Sequence, residues 1–191
     1  MYGTGMRISE VLRLRIKDIN FEHHYIIVRS GKGLKDRRVM LPKTCIVPLK
    51  DQINHVTKQH QQDLKNGVGE TLLPKALAKK YPQEGKKMGW QYIFCSNQLS
   101  KDPRSGLIHR YHLSDRYVQK SLKKAVSLTQ INKKVSSHTF RHSFATDMLK
   151  FGYDIRTVQE LLGHTNVNTT MIYTHILNKD GNYLQSPVDR L

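Results

Sequence analysis

His138-Thr139-Phe140-Arg141-His142-Ser143-Phe144-Ala145-Thr146, followed by Leu161-Leu162-Gly163-His164 and then by Tyr173, decides how this chain is read. His138 and Arg141 stand three positions apart, so on a helix they project from one face. His164 closes a short apolar turn, and Tyr173 comes nine residues later in a Thr/Met/Ile-rich segment. The set joins cationic or protonatable groups to one phenol. An arginine fork grips non-bridging phosphate oxygens in bidentate fashion, and a tyrosine oxygen can form a covalent phosphoryl-enzyme bond. Each residue has a plainer reading alone: Tyr173 as packing, His164 as a helix end after Gly163, Arg141 as a solvated or ion-paired side chain. His138 and His142 are spaced like a zinc helix, but H-E-x-x-H needs an acid where Thr139 stands. Together, at these intervals, the residues point to attack on a phosphodiester.

Composition agrees. The chain has 191 residues, room for one domain with a real core. Lys plus Arg outnumber Asp plus Glu 32 to 15, for a net charge of +17, the footprint of a polyanionic partner such as nucleic acid. No apolar run approaches the roughly 18 residues of a spanning helix, so no membrane role is expected. The first residues do not read as a signal peptide. Cys45 and Cys95 are unclustered, which excludes a zinc ribbon or a disulfide scaffold and fits a reduced, cytoplasmic protein. The acids are scattered, which argues against a metal-dependent nuclease. No metal and no cofactor are expected.

Outward from the opening stretch, patterning predicts a mainly α fold with a small antiparallel sheet near the N-terminus. A helix is expected over 4–14, with Thr4 as a candidate cap. Strand follows from Ile19 through Arg29, then a Ser30-Gly31-Lys32-Gly33 turn, and a returning strand over 37–41 stopped by Pro42. Helices are expected over 47–65 and 72–80, an extended piece at 92–94, and loop over 96–105 with a turn at Asp102-Pro103. Further helices are expected over 113–126, 138–151 and 155–162. Asp154 would cap the last of these and Gly163 would end it. Asn166 or Asn168 would start the helix that carries Tyr173. From Lys179 onward the chain is too polar for a core.

The H-x-x-R, L-G-H and Tyr series resembles the second signature box of the tyrosine recombinases. Gly5-Met6-Arg7-Ile8-Ser9-Glu10 resembles their first, G-[ML]-R-x-[SG]-E, and Gly31-Lys32-Gly33-Leu34-Lys35-Asp36-Arg37 resembles their β-hairpin turn. The resemblance implies a catalytic domain over 1–178 with six catalytic side chains: Arg7, Lys32, His138, Arg141, His164 and Tyr173. Tyr173 would attack the scissile phosphate, leaving a 3′-phosphotyrosine and a free 5′-hydroxyl. Arg7 and Arg141 would neutralise charge growing on the equatorial oxygens, where preorganised donors count most. Lys32, in the family's position rather than Lys35, would protonate the departing oxygen. His138 would accept the phenol proton, His164 would hydrogen-bond the phosphate, and Glu10 would orient the others. The phosphotyrosine conserves bond energy, so rejoining would need no ATP. The resemblance also implies an N-terminal DNA-clamping domain that this chain lacks, so a fragment of a longer protein is expected. Residues 179–191 would form a tail exchanged between protomers of a tetramer on synapsed DNA.

A narrower resemblance is to the integron integrases. Leu73 to Pro82, Trp90-Gln91-Tyr92 and Asp102 to Gly106 look like that subfamily's insertion, placed at about 66–112. It implies recombination of gene cassettes, with one site bound as a folded single-stranded hairpin whose protruding bases stack on flat side chains. Trp90, Pro103, Tyr111 and His112 are the candidates, with Lys35, Arg37 and Arg110 as further DNA contacts. The alternatives stay open: Trp90 in a core or hinge, Tyr111 and His112 packing at a helix start. The family usually has two adjacent histidines where this chain has Tyr111-His112. Competing readings are a type IB-like topoisomerase, which relaxes DNA without site choice, and a DNA-binding fragment that no longer cuts. The protein is expected in the bacterial cytoplasm, at the nucleoid when acting.

Overall fold

The computed structural model describes residues 1–29, 36–164, 166 and 168–171. The expected turn with Lys32 and Lys35, the expected nucleophile Tyr173 and the expected 179–191 tail therefore lie outside the described residues. The elements run α1 (Ile8–Leu12), β1 (Ile19–Asn20), β2 (Tyr25–Val28), β3 (Arg37–Met40), α2 (Ile46–Lys65) and α3 (Lys75–Lys80). They continue with β4 (Cys95–Lys101), β5 (Ile108–His112), α4 (Asp115–Ser127), α5 (Ser137–Lys150), α6 (Ile155–Leu162) and α7 (Asn168–Met171).

Two apolar clusters organise them. Met6, Leu14, Ile26, Val28, Val39, Leu41 and Ile93 form the first, with Ile46, Leu49 and Ile53 of α2 packed against it. The sheet β1-β2-β3 is antiparallel throughout, with Ile26 opposite Val39. Its period-2 alternation turns Ile26, Val28 and Val39 into this core. The second cluster is Phe144, Ala145, Met148, Leu149, Val158 and Leu162, the facing sides of α5 and α6. Gly5 is the joint between the two. Its φ is +64°, and a Cβ there would lie 2.5 Å from the Phe144 ring and 3.0 Å from Leu162. Only glycine accepts both the backbone and the approach.

That joint corrects the first helix. It begins at Ile8, with Arg7 as an extended N-cap, because the left-handed turn at Gly5 interrupts anything begun at Thr4. The Thr4 hydroxyl instead accepts from the Met6 N–H at 3.3 Å. The helix stops at Leu12, since Arg15 is extended and bridges Tyr92.

The second correction is at 96–105. Where loop was expected, β4 and β5 pair as an antiparallel hairpin with an irregularity between Cys95 and Leu99. Apart from Cys95 and Leu99, β4 consists of Ser, Asn, Gln and Lys, and most of it is exposed, so backbone pairing rather than a buried face builds it and hydrophobic patterning does not mark it. The hairpin and the 3-10 turns before it are tied to the rest by polar links. Arg15 donates to Trp90 O at 2.6 Å, Leu72 O at 2.9 Å and Tyr92 Oη at 3.0 Å. Arg110 on β5 forks onto Asp63 of α2 at 2.7 and 2.8 Å and donates to Ser96 O at 2.8 Å. Among the described residues no helix is long and apolar enough to cross a membrane.

The Arg110–Asp63 pair is buried, at 12% and 6% side-chain exposure. Arg110→Met should leave an uncompensated buried carboxylate and cost about 3–5 kcal/mol, whereas adding Asp63→Leu should recover most of it. Thermal melts of both variants check this; a single variant that melts like the double would show that the pair does not anchor the hairpin.

Candidate active site

Glu10 lies in the third position of α1, where a carboxylate can reach back to the cap. Its Oε2 accepts from the Arg7 backbone N–H at 2.8 Å, and its Oε1 from Arg7 Nη1 at 3.0 Å. Arg37, the first residue of β3, forks onto the same carboxylate, Nη1 to Oε1 at 3.0 Å and Nη2 to Oε2 at 2.7 Å. Burial would raise the Glu10 carboxyl, but the hydrogen bonds from Arg37 and from the Arg7 backbone, with both positive charges, hold it below the ordinary carboxylate range. Glu10 is thus an anion here, and Arg7 is held by it with its own side chain 27% exposed.

Arg141 is placed by the middle of α5, with Phe144 and Ala145 beyond it facing the core. It is 5% exposed, and its guanidinium ties two distant segments: Nη1 donates to Gly5 O at 2.5 Å and Nη2 to Leu162 O at 2.6 Å. One turn earlier on the same helix, His138 is exposed. Asp154 caps α6 through the N–H groups of Arg156 and Thr157 at 2.9 and 3.0 Å, and Gly163 ends it with φ +63°. The chain then delivers His164, whose Nδ1 lies 2.9 Å from the Thr170 hydroxyl on α7. Thr170, 0% exposed, is a supporting residue that sequence reading passed over.

The structure therefore brings Arg7, Glu10, Arg141 and the turn before His164 into one bonded group. It sends the expected DNA contacts in two directions. Arg37 and Arg110 are turned inward, each spent on a carboxylate and a backbone carbonyl. Trp90 is 9% exposed, donates to Glu84 at 3.0 Å, and has the Lys17 ammonium 2.7 Å from its ring centre. The reading that put Trp90 in a core is the one its surroundings match. Pro103 is exposed at the tip of the β4–β5 hairpin. Tyr111 is 38% exposed on β5, its ring 4.1 Å from that of His112 and edge-on to Tyr92 at 5.5 Å. Burial lowers the His112 pKa, so that ring is neutral near pH 7. Tyr111, His112, Leu99 and Tyr117 line a groove of about 510 Å³.

The inward turn of Arg37 follows a strand alternation that the sequence reading did not apply to it. It sits two residues before Val39, and period-2 alternation puts both on the core face. Arg110 offered no such signal, because its partner lies 47 positions away.

Comparison with known proteins matches residues 1–180 to the phage integrase family. An integrase/recombinase of Escherichia coli is 49% identical over the whole chain and is itself covered to 57%. The tyrosine recombinase XerA of Pyrococcus furiosus is 34% identical over the whole chain, with 51% of that relative covered. The chain thus spans about half the length of the curated relatives it matches. The crystal structure of XerA recombinase superposes with a TM-score of 0.61 at 30% identity, over 90% of this chain and 49% of that one.

Because the Glu10 pKa is depressed in the fold, its contribution is complete above the unfolded carboxyl value, about 4.3, and is lost as pH falls through the folded value. Glu10→Gln should melt below the parent by a constant margin at pH 6–7. That margin should close below about pH 4. A margin unchanged across melts from pH 7 to pH 3 would remove the ionised carboxylate from this role.

Proposed function

The chain belongs to the phage integrase family and is a tyrosine recombinase catalytic domain, and on that premise we propose that it cuts and rejoins DNA at specific sites through a 3′-phosphotyrosine. The observation that carries this is the bonding around Arg141. One guanidinium holds Gly5 O, two residues before Arg7, and Leu162 O, two residues before His164, so both signature boxes meet at one place. A phosphodiester seated there meets Arg7 and Arg141 as preorganised cations, whose value is greatest against charge that grows during displacement. Tyr173 is the nucleophile, His138 the acceptor of its proton, His164 a hydrogen-bonding partner of the phosphate, and Lys32 the acid for the leaving 5′-oxygen. No step needs a metal, and a 5′-hydroxyl of the partner strand attacks the phosphotyrosine to form the new phosphodiester and release the Tyr173 oxygen. The excess of 17 positive charges draws the domain to DNA. The active assembly is a tetramer on synapsed duplexes in the bacterial cytoplasm, closed by tails from 179 onward that dock in trans.

The finer reading is that the 66–112 segment is the insertion of an integron integrase and that it reads bases protruding from a folded single strand. Support lies in the groove at β5. The His112 Nδ1 is 2.6 Å from Leu113 O, so Nδ1 carries the proton and Nε2 is an acceptor. That Nε2 is buried without a hydrogen-bond partner, and the residue lines the groove beside the exposed Tyr111. A flipped base would lay its ring face on Tyr111 in this groove. Pro103 at the hairpin tip adds a second apolar surface.

Incubation with a nicked suicide substrate in EDTA tests the chemistry. A covalent protein–DNA adduct should form with the parent and vanish in Tyr173→Phe, with DNA affinity kept within about twofold, because only the attacking oxygen is lost. An adduct that survives the substitution would dismiss Tyr173. For the finer reading, alanine at Tyr111 or His112 should weaken hairpin binding by about 1–3 kcal/mol per lost stack and leave duplex binding unchanged. Equal affinity for hairpin and duplex, unaltered by either change, would return the protein to the double-strand recombinases.

A further inference from the structure

We propose that Arg37 is a positioning residue for strand cleavage, not a DNA contact: it locks the first signature box to the turn before His164 and thereby aims Arg7. The proposal rests on the recombinase reading above. All three guanidinium nitrogens of Arg37 are used. Nη1 and Nη2 take the two oxygens of Glu10, and Nε donates to Leu161 O at 2.9 Å. The side chain is 12% exposed, and a phosphate oxygen would have to compete with the Glu10 carboxylate and the Leu161 carbonyl for its donors. Its plane lies against Gly163, where a Cβ would be 2.9 Å from Nη1 and 3.0 Å from Cζ. The turn therefore needs glycine for two reasons, its positive φ and the guanidinium beneath it.

The consequence runs through Glu10. A carboxylate with two oxygens can hold the Arg7 backbone and side chain in one orientation only if it is itself fixed. Arg37 supplies that fixing with a planar, bidentate grip. Without Arg37, burial would push Glu10 toward its neutral acid, and a neutral acid holds Arg7 poorly. Lysine cannot substitute. One ammonium cannot span both Glu10 oxygens and the Leu161 carbonyl together. Arg37 thus lets three segments far apart in sequence, around residues 7, 37 and 162, share one geometry.

The test compares parent, Arg37→Ala, Arg37→Lys, Arg7→Ala and the Arg7→Ala/Arg37→Ala double variant in single-turnover adduct formation on a suicide substrate. Affinity and its salt dependence are measured in parallel. A displacement of about 1 Å at a reacting centre costs on the order of 100-fold, so both Arg37 variants should slow the adduct step by about 10- to 100-fold at saturating DNA. Affinity should hold within about twofold and the salt slope should not change, whereas losing a phosphate contact lowers that slope by about one. The double variant should be no slower than Arg7→Ala alone, since Arg37 acts through Arg7. Normal cleavage with weakened, less salt-dependent binding would overturn the proposal, as would additive losses in the double variant. Arg37→Lys keeps the charge and guards against a variant that fails to fold. If the parent forms no adduct, the recombinase reading itself fails. Amide hydrogen exchange then decides the Arg37 link separately: protection should drop at 5–10 and 161–164 but not in the β4–β5 hairpin, and uniform protection would refute it.

Discussion

The end of α6 is the point on which the rest turns. A helix leaves its last carbonyls without intrahelical partners, and where that end is buried, water cannot supply them. Here arginines do. Arg37 takes Leu161 O and Arg141 takes Leu162 O, placing positive charge against the negative end of the helix. Each then uses its remaining donors on the segment around α1, Arg37 on Glu10 and Arg141 on Gly5 O. Two consecutive carbonyls thereby fix the spacing between the first box and the second. The apolar clusters give this arrangement its walls, and the glycines at 5 and 163 give it clearance.

A second polar anchor works independently of the first. Arg15 and Arg110 fasten the segment between α2 and α4 to the domain. They do so through backbone carbonyls, the Tyr92 hydroxyl and the Asp63 carboxylate, beside Ile93, which is buried in the first apolar cluster. Gln91 and His60 add to it, donating or sharing protons with the carbonyls of Gly85 and Lys86. The domain thus separates two tasks. Its interior holds Arg141, Arg37 and Glu10, and its periphery carries the hairpin with Tyr111 and His112.

How much of this could be read from sequence depends on the range of the interaction. Local signals were faithful: Asp154 at the start of α6, Gly163 at its end, and the alternation of β2 and β3 all act within a few residues. The amphipathic helices α2, α5 and α6 came through for the same reason. The β4–β5 hairpin did not, since its strands are polar on both faces and cohere through the backbone. The start of α1 was misread because the obstacle at Gly5 is the Phe144 ring, 139 positions downstream. Among the candidate residues, motif spacing singled out Arg7, Glu10 and Arg141, which the fold gathers into one bonded group. Arg37 and Arg110 were taken for outward contacts because basic residues in a basic chain look like surface until their partners are known.

The hairpin's construction has an evolutionary consequence. Its strands are joined by peptide groups that every residue supplies, and one ion pair and a few carbonyls secure it to the body. Side chains along β4 and at the 102–106 tip can therefore be exchanged with little disturbance to the packed interior. On the proposed reading of the hairpin as a base-contacting surface, substitutions there would revise nucleotide preference and leave the bonded group around Arg141 untouched. On that reading, recognition and catalysis drift at different speeds within one chain.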